Sequence, residues 1–372
     1  MHFFVNRKDL NNAIQEFKRA KIKGLVLVGS ESPDTVTIDG FEGNINKTGP
    51  ATIPERRLRV TIPARYTAED TSRGSFKCDL KDLKSDGGDV EISADCFGLM
   101  INGDLRECRE TSSQNMPWEN VAGVSWTDGR EITQEDCCAI AWVLRAMGST
   151  EELCKRGFDR LCIHDGVAEA TDGYRAHRAN VSFGAPEMLV PAVMADLMSR
   201  LPGALNFRAD EDYEYAEYRA GSIRMATVRK KNTCWPDFER IMPYNAPSVT
   251  MHAVHVLEHV KAAVDGYDGA TVRLSCGKGK RNLRVESLAH KAPMKPPFDG
   301  LVKTVDGSVE TAELEEPCLF SNFGMGAEYN AAYLVDALAG FCGYAKMYYT
   351  DIESPLMIAD ETGRAALVMP IV

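Results

Sequence analysis

The sequence predicts an α+β protein of three similar domains, each built from two helices packed on several antiparallel strands. Two recurrences carry that prediction. Amphipathic helical stretches begin roughly 120 residues apart, close to one third of the 372-residue chain. A Pro segment with aromatic and acidic neighbours also returns, as MPWE at 116–119 and WPDFE at 235–239, with its prolines 119 positions apart. A chain of 372 residues also exceeds what one core supports, since single cores stop growing near roughly 250–300 residues.

Element by element, the first helix carries Leu10, Ala13, Ile14 and Phe17 at helical spacing. The second starts from Thr133 and carries Ile140, Val143, Leu144 and Met147, and the third carries Val254, Leu257, Val260 and Val264. A later helical candidate follows in each third, at 80–85, 191–201 and 331–341, among strand-like runs such as 90–94, 161–163, 222–228 and 271–274. Asp172-Gly173 reads as a tight turn between two strands, with glycine supplying the positive φ. Turn signals at Thr127-Asp128-Gly129 and Asn245-Ala246-Pro247 place the boundaries, giving domains 1–128, 129–247 and 248–372.

Hydrophobic residues at 44% and charged residues at 26% are ordinary globular values, so the chain is expected to fold throughout. The opening MHFFVNRKDL resembles neither a signal peptide nor an anchor, and no stretch approaches 18 apolar residues, so a soluble cytoplasmic protein is expected. Eleven cysteines without a C-x-x-C pair fit reduced core thiols. A net charge of -11 argues against a protein coated in nucleic acid, yet residues 7–23 carry six cationic and two acidic side chains. Charge is therefore segregated, as an acidic exterior around a basic, phosphate-facing surface requires.

His252, His255 and His259 share one side of a helix, as metal ligands would. They lie beside the apolar stripe, and no Cys or carboxylate joins them at ligand spacing except Glu258, so a polar helix side is the expected reading. GKGKRN at 277–282 lacks the phosphate-loop pattern and reads as a basic β-turn. The chain has no G-x-S-x-G elbow, no H-E-x-x-H helix and no paired acidic motif. No catalytic residue, metal or cofactor is expected.

Residues 170–175 read ATDGYR, which resembles the ATDGHR signature of the second domain of bacterial DNA polymerase III beta subunits, the sliding clamps. That family has His at the place of Tyr174 and Leu at the place of Ala176. WPDFERIMP at 235–243 is similar to the family's FPDYRRVLP segment, and LVMPIV at 367–372 to its VMPM/VMPI ending. Weaker similarity covers 332–338 and 350–355. The first third matches only in pattern, from Phe3-Phe4-Val5 to Met116-Pro117.

The resemblance implies a DNA clamp fold and a homodimeric ring of six domains that encircles double-stranded DNA without catalysis. It further implies an ATP-dependent clamp loader, a DNA polymerase and other clamp-binding-motif proteins as partners. Their peptides would enter a pocket lined by Thr171, Gly173, Tyr174, Arg175, Pro236, Ile241, Pro355, Val368, Met369, Pro370 and Ile371. The DNA-facing cations would be Arg7, Lys8, Lys18, Arg19, Lys21 and Lys23, then Arg145, Lys155, Arg156 and Arg200, and Lys261. Ala176 and the Pro-Ile-Val ending, without the Arg many members carry, point to a different peptide preference. Two other readings are a metal-dependent DNA-processing enzyme using the histidines, and a clamp-like partner-binding protein that does not encircle DNA.

Overall fold

The structure is a computed structural model. It describes residues 2–371 apart from 33, 43–55, 68–74, 85–87, 96–97, 107–108, 111–128, 186, 210–212, 231–234, 265–270, 289–308 and 319–326. The MPWE segment and the Thr127-Asp128 turn lie outside the described residues. Its α-helices are α1 (Arg7–Arg19), α2 (Gln134–Val143), α3 (Glu151–Lys155), α4 (Ala192–Arg200), α5 (Ala253–Ala263) and α6 (Ala331–Leu338), set among antiparallel strands. None of the described helices is long and apolar enough to cross a membrane. The chain forms two compact units, one of residues 1–134 with 190–232 and one of 135–189 with 233–372.

In the first unit, α1 follows directly from its sequence. Asn6 caps it, its side chain accepting from the Lys8 amide at 2.9 Å, with Asp9 in the first turn and Lys18 and Arg19 in the last. Those charges complement the helix dipole. Leu10, Ala13, Ile14 and Phe17 are buried as predicted, and the Phe17 ring rests on Gly40, where a Cβ would come within 2.7 Å of it. The helix ends at Arg19, and just past its cap Lys21 takes a left-handed φ of 54° while the Ile22 amide donates back to the Phe17 carbonyl at 3.0 Å.

Strand Arg56–Tyr66 is the hinge of this unit's sheet. It pairs with Thr35–Glu42 on one side and with both His2–Val5 and Ile223–Lys230 along its length. Ile223–Lys230 continues through Tyr213–Ala220 and Gly203–Ala209 to Arg130–Ile132. One sheet thus joins strands from either side of residue 128. The helical candidate at 80–85 is a single 3-10 turn, Leu80–Leu83, with residue 85 outside the described set.

In the second unit, a sheet runs in the order Arg160–His164, Val167–Thr171, Arg175–Asn180, Ala365–Val368, Leu356–Ala359, Tyr344–Tyr348, Ser248–His252. A second runs Val309–Glu313, Asn282–Leu288, Thr271–Ser275, Glu328–Asn330, Pro370–Ile371. The basic run 277–281 is the turn between two of these strands, with Gly279 at φ 73°.

Two helices depart from their expected faces. α2 ends at Val143 and tightens into a 3-10 turn, Leu144–Ala146, so Ile140 and Val143 are buried while Leu144 and Met147 are half-buried. The buried face of α5 is Ala253, Val256, Val260 and Ala263, with Val254 and Leu257 half-buried. The helix packs against α6 and strand Val309–Glu313.

Candidate partner-binding pocket

The pocket is organised by the turn at 171–175. Val167–Thr171 and Arg175–Asn180 are paired strands, Thr171 opposite Ala176, and Gly173 between them adopts φ 86°. The Asp172 carboxylate accepts from the amides of Tyr174 at 2.9 Å and Arg175 at 3.0 Å, and from Arg175 Nε at 3.1 Å. Thr171 Oγ1 donates to the Arg175 carbonyl at 2.7 Å and accepts the Gly173 amide at 3.0 Å. With its backbone groups so used, the turn presents the Tyr174 ring outward, 62% exposed.

Long-range pairing brings the end of the chain to this turn. Arg175 lies opposite Val368 and Ala176 opposite Leu367, and the Met369 amide donates to the Tyr174 carbonyl at 2.9 Å. The chain then crosses to the other sheet, where Pro370 pairs with Tyr329. Asn330 ends that strand and caps α6, accepting from the amides of Ala332 and Tyr333. Tyr174, Asn330, Tyr333, Met369, Pro370 and Ile371 thereby line an open pocket of about 350 Å³.

Arg175 braces its floor. Its Nη1 donates to Asp336 Oδ2 at 2.6 Å, and its guanidinium lies over the Tyr333 ring, 4.3 Å from the centroid. Burial and the nearby Asp172 charge push the Tyr333 hydroxyl above its usual range, so it is a neutral donor at pH 7. Met369 at 38% and Ile371 at 47% exposure, with Tyr174, form an unusually apolar rim. Flexible Met and rigid aromatic groups suit apolar peptide anchors.

Of the predicted pocket residues, Tyr174, Met369, Pro370 and Ile371 line this pocket, and the others lie outside its lining. Ile241 is 49% exposed and Pro236 half-buried, on a segment anchored by Phe238 and Met242 in a core with Ala176, Met357 and Leu367. Val368 is fully buried behind the surface. Pro355 is half-buried, one residue before the Leu356–Val368 pair. Sequence reasoning missed Asn330 and Tyr333. It also missed Phe158, which meets the place of a Gly173 Cβ at 3.4 Å and the Trp235 ring edge-on at 6.5 Å. Tyr333 sits in the 332–338 string, the one signal that pointed to it.

The predicted cations lie in both units. In the first, Lys8, Lys18, Arg19, Lys21 and Lys23 are exposed and Arg7 is half-buried. Arg200 of α4 instead grips Glu16 of α1 through both Nη atoms, at 3.1 and 2.9 Å, and Asp196 through Nε at 3.1 Å. Burial works against the Glu16 charge, but Arg200 and Arg19 outweigh it and hold the carboxyl below its usual range. In the second unit Lys261 is exposed, Arg145 faces Asp336 at 3.5 Å and Arg156 pairs with Glu152 at 2.6 Å; the Lys155 side chain lies outside what is described.

The histidines do not converge. His252 and His255 pack ring to ring at 4.3 Å, while His259 faces Glu310 at 3.4 Å. The described residues whose donor atoms come within reach of one ion are Cys162, His164 and Glu169.

Antiparallel sheets with few helices over the whole chain are the architecture of the DNA clamp class of fold. The solved structures matched over the whole chain are bacterial DNA polymerase III beta sliding clamps. The Caulobacter crescentus protein matches at 18% identity and TM-score 0.71, with all of both chains covered. A Helicobacter pylori beta clamp bound to a DNA ligase peptide matches at 15% and 0.73, again over all of both chains. The Bacillus subtilis clamp matches at 14% and 0.72, over 100% of this chain and 99% of that one. At these identities the likeness is one of fold. No protein-family model and no curated protein matches the sequence.

Proposed function

We propose that the protein is a divergent sliding clamp, a non-catalytic processivity factor of the cytoplasm that encircles double-stranded DNA as a homodimer of three-domain subunits. The domains would be 1–128, 129–247 and 248–372, and an ATP-dependent loader would open the ring. The observation that carries this reading is the apolar pocket at the 171–175 turn, in a chain whose whole length has the clamp fold. A Helicobacter pylori clamp of that fold is bound to a DNA ligase peptide, which supports the same pocket class for DNA polymerase and other clamp-binding-motif partners here. Enclosure explains the weak cationic signature. A ring holds on by topology, so exposed lysines along α1 suffice for phosphate contacts that ignore base edges.

The test joins topology to pocket. Light scattering should give twice the chain mass, and protein loaded onto circular DNA should be retained until the DNA is linearised. Met369→Ala and Tyr333→Ala should weaken a DNA ligase-derived clamp-binding peptide by about tenfold or more without changing the mass. A persistent monomer, or retention that survives linearisation, would reject the encircling ring. Peptide binding indifferent to both substitutions would reject the pocket.

A further inference from the structure

We propose that Cys162, His164 and Glu169 form a binding site for one divalent transition-metal ion of the zinc type. Cys162 and His164 are two residues apart on strand Arg160–His164 and so project from one face of it. Antiparallel register sets Glu169, on the neighbouring strand, directly opposite Cys162. The thiol sulfur, an imidazole nitrogen and a carboxylate oxygen all lie within 4.8 Å of one another. His164 Nε2 stands 3.2 Å from Glu169 Oε2. Ligand atoms around a tetrahedral zinc are separated by roughly 3.3–3.7 Å, as Zn–N and Zn–S bonds of about 2.1 and 2.3 Å dictate, so the ion needs only a small closing movement.

The surroundings supply the other parts of a metal site. Cys162 is fully buried and the Glu169 side chain is 3% exposed, whereas the His164 side chain is 29% exposed and leaves a way in. Trp235 Nε1 donates to Glu169 Oε2 at 3.2 Å, and Arg178 Nε stands 3.6 Å from Oε1. A carboxylate oxygen has two lone pairs, so Oε2 can keep the indole and still bind the ion while Arg178 orients the group. Three protein ligands leave a fourth position for water. Binding releases the Cys162 proton to solvent, since the thiolate is the ligand. The mixed donor set, one soft sulfur with nitrogen and oxygen, favours zinc or cobalt over magnesium or calcium.

The test is a titration of the purified protein with Co(II), followed by competition with Zn(II). A thiolate-to-cobalt charge-transfer band with the visible bands of a four-coordinate ion should saturate at one ion per chain, and Zn(II) should abolish it. His164→Ala, at a partly exposed position, should weaken Co(II) binding by about 100-fold or more, with circular dichroism unchanged. Cys162→Ser should remove the charge-transfer band, and Glu169→Gln should weaken binding as His164→Ala does. A wild-type protein with no saturable band, or a band that His164→Ala leaves intact, overturns the site and leaves His164–Glu169 as an ion pair only.

Discussion

His177 is the buried group whose titration should govern the acid stability of the second unit. The ring is fully buried, stacked on the Trp142 indole at a centroid distance of 4.6 Å. Its Nδ1 lies 3.0 Å from the Trp142 carbonyl and so carries the proton there, leaving Nε2 with no hydrogen-bond partner. Protonating Nε2 places a charge and an unsatisfied donor in the core, and burial accordingly pulls the ring down from 6.5 to about 4. The bond to Trp142 and the Asp336 charge oppose that pull, while Arg175 and Arg145 add to it. Between pH 6.5 and about 4 the unfolded chain takes up a proton that the folded chain refuses, so stability falls as the pH drops through that window. Linkage gives a loss of about 2 kcal/mol between pH 7.5 and 5, rising to about 3 kcal/mol near pH 4.

Against a typical total of 5–15 kcal/mol, that loss is readily measured. Denaturant unfolding of the wild type and of His177→Phe, which keeps the stack without the titrating nitrogen, should differ in pH dependence by about 2 kcal/mol over this interval. Direct NMR titration of the His177 ring should give a midpoint near 4. Parallel pH profiles for the two proteins, or a midpoint near 6.5, would refute the reasoning.

Three further outcomes follow from close packing and backbone strain. A Cβ at Gly340 overlaps the Trp142 ring, whose Nε1 donates to the Asp336 and Ala337 carbonyls at 3.0 and 3.2 Å. Gly340→Ala should therefore cost about 1–3 kcal/mol in chemical denaturation, and unchanged stability would mean that the indole is not held there. Lys21 holds a left-handed φ of 54° at the end of α1, where glycine carries no Cβ penalty, so Lys21→Gly should raise stability by about 1 kcal/mol. Lys21→Val should lower the melting temperature.

What the sequence determined by itself was local. The stripe Leu10, Ala13, Ile14 and Phe17 is buried as its spacing predicts, because one amphipathic face against one sheet is a property of neighbouring residues. The Asp172-Gly173 turn was legible for the same reason, its carboxylate and glycine sitting within the four residues they organise. The family-like strings at 170–175, 235–243 and 367–372 pointed to Tyr174, Ile241 and Met369, all exposed, of which Tyr174 and Met369 line one pocket.

Tertiary structure alone decided which distant residues meet. Asn330 and Tyr333 reach Tyr174 only because Arg175–Asn180 pairs with Ala365–Val368 and the chain then crosses to Tyr329. Cys162 faces Glu169 only in one strand register, and a slip of one residue would turn the carboxylate to the other face. The buried face of α5 is Ala253, Val256, Val260 and Ala263 rather than the full predicted stripe, because burial depends on which elements, here α6 and the adjoining strand, cover the helix, and no residue of α5 carries that alone. Spacing along the chain encodes faces and turns; strand register and helix approach are set by the summed packing of all the elements together.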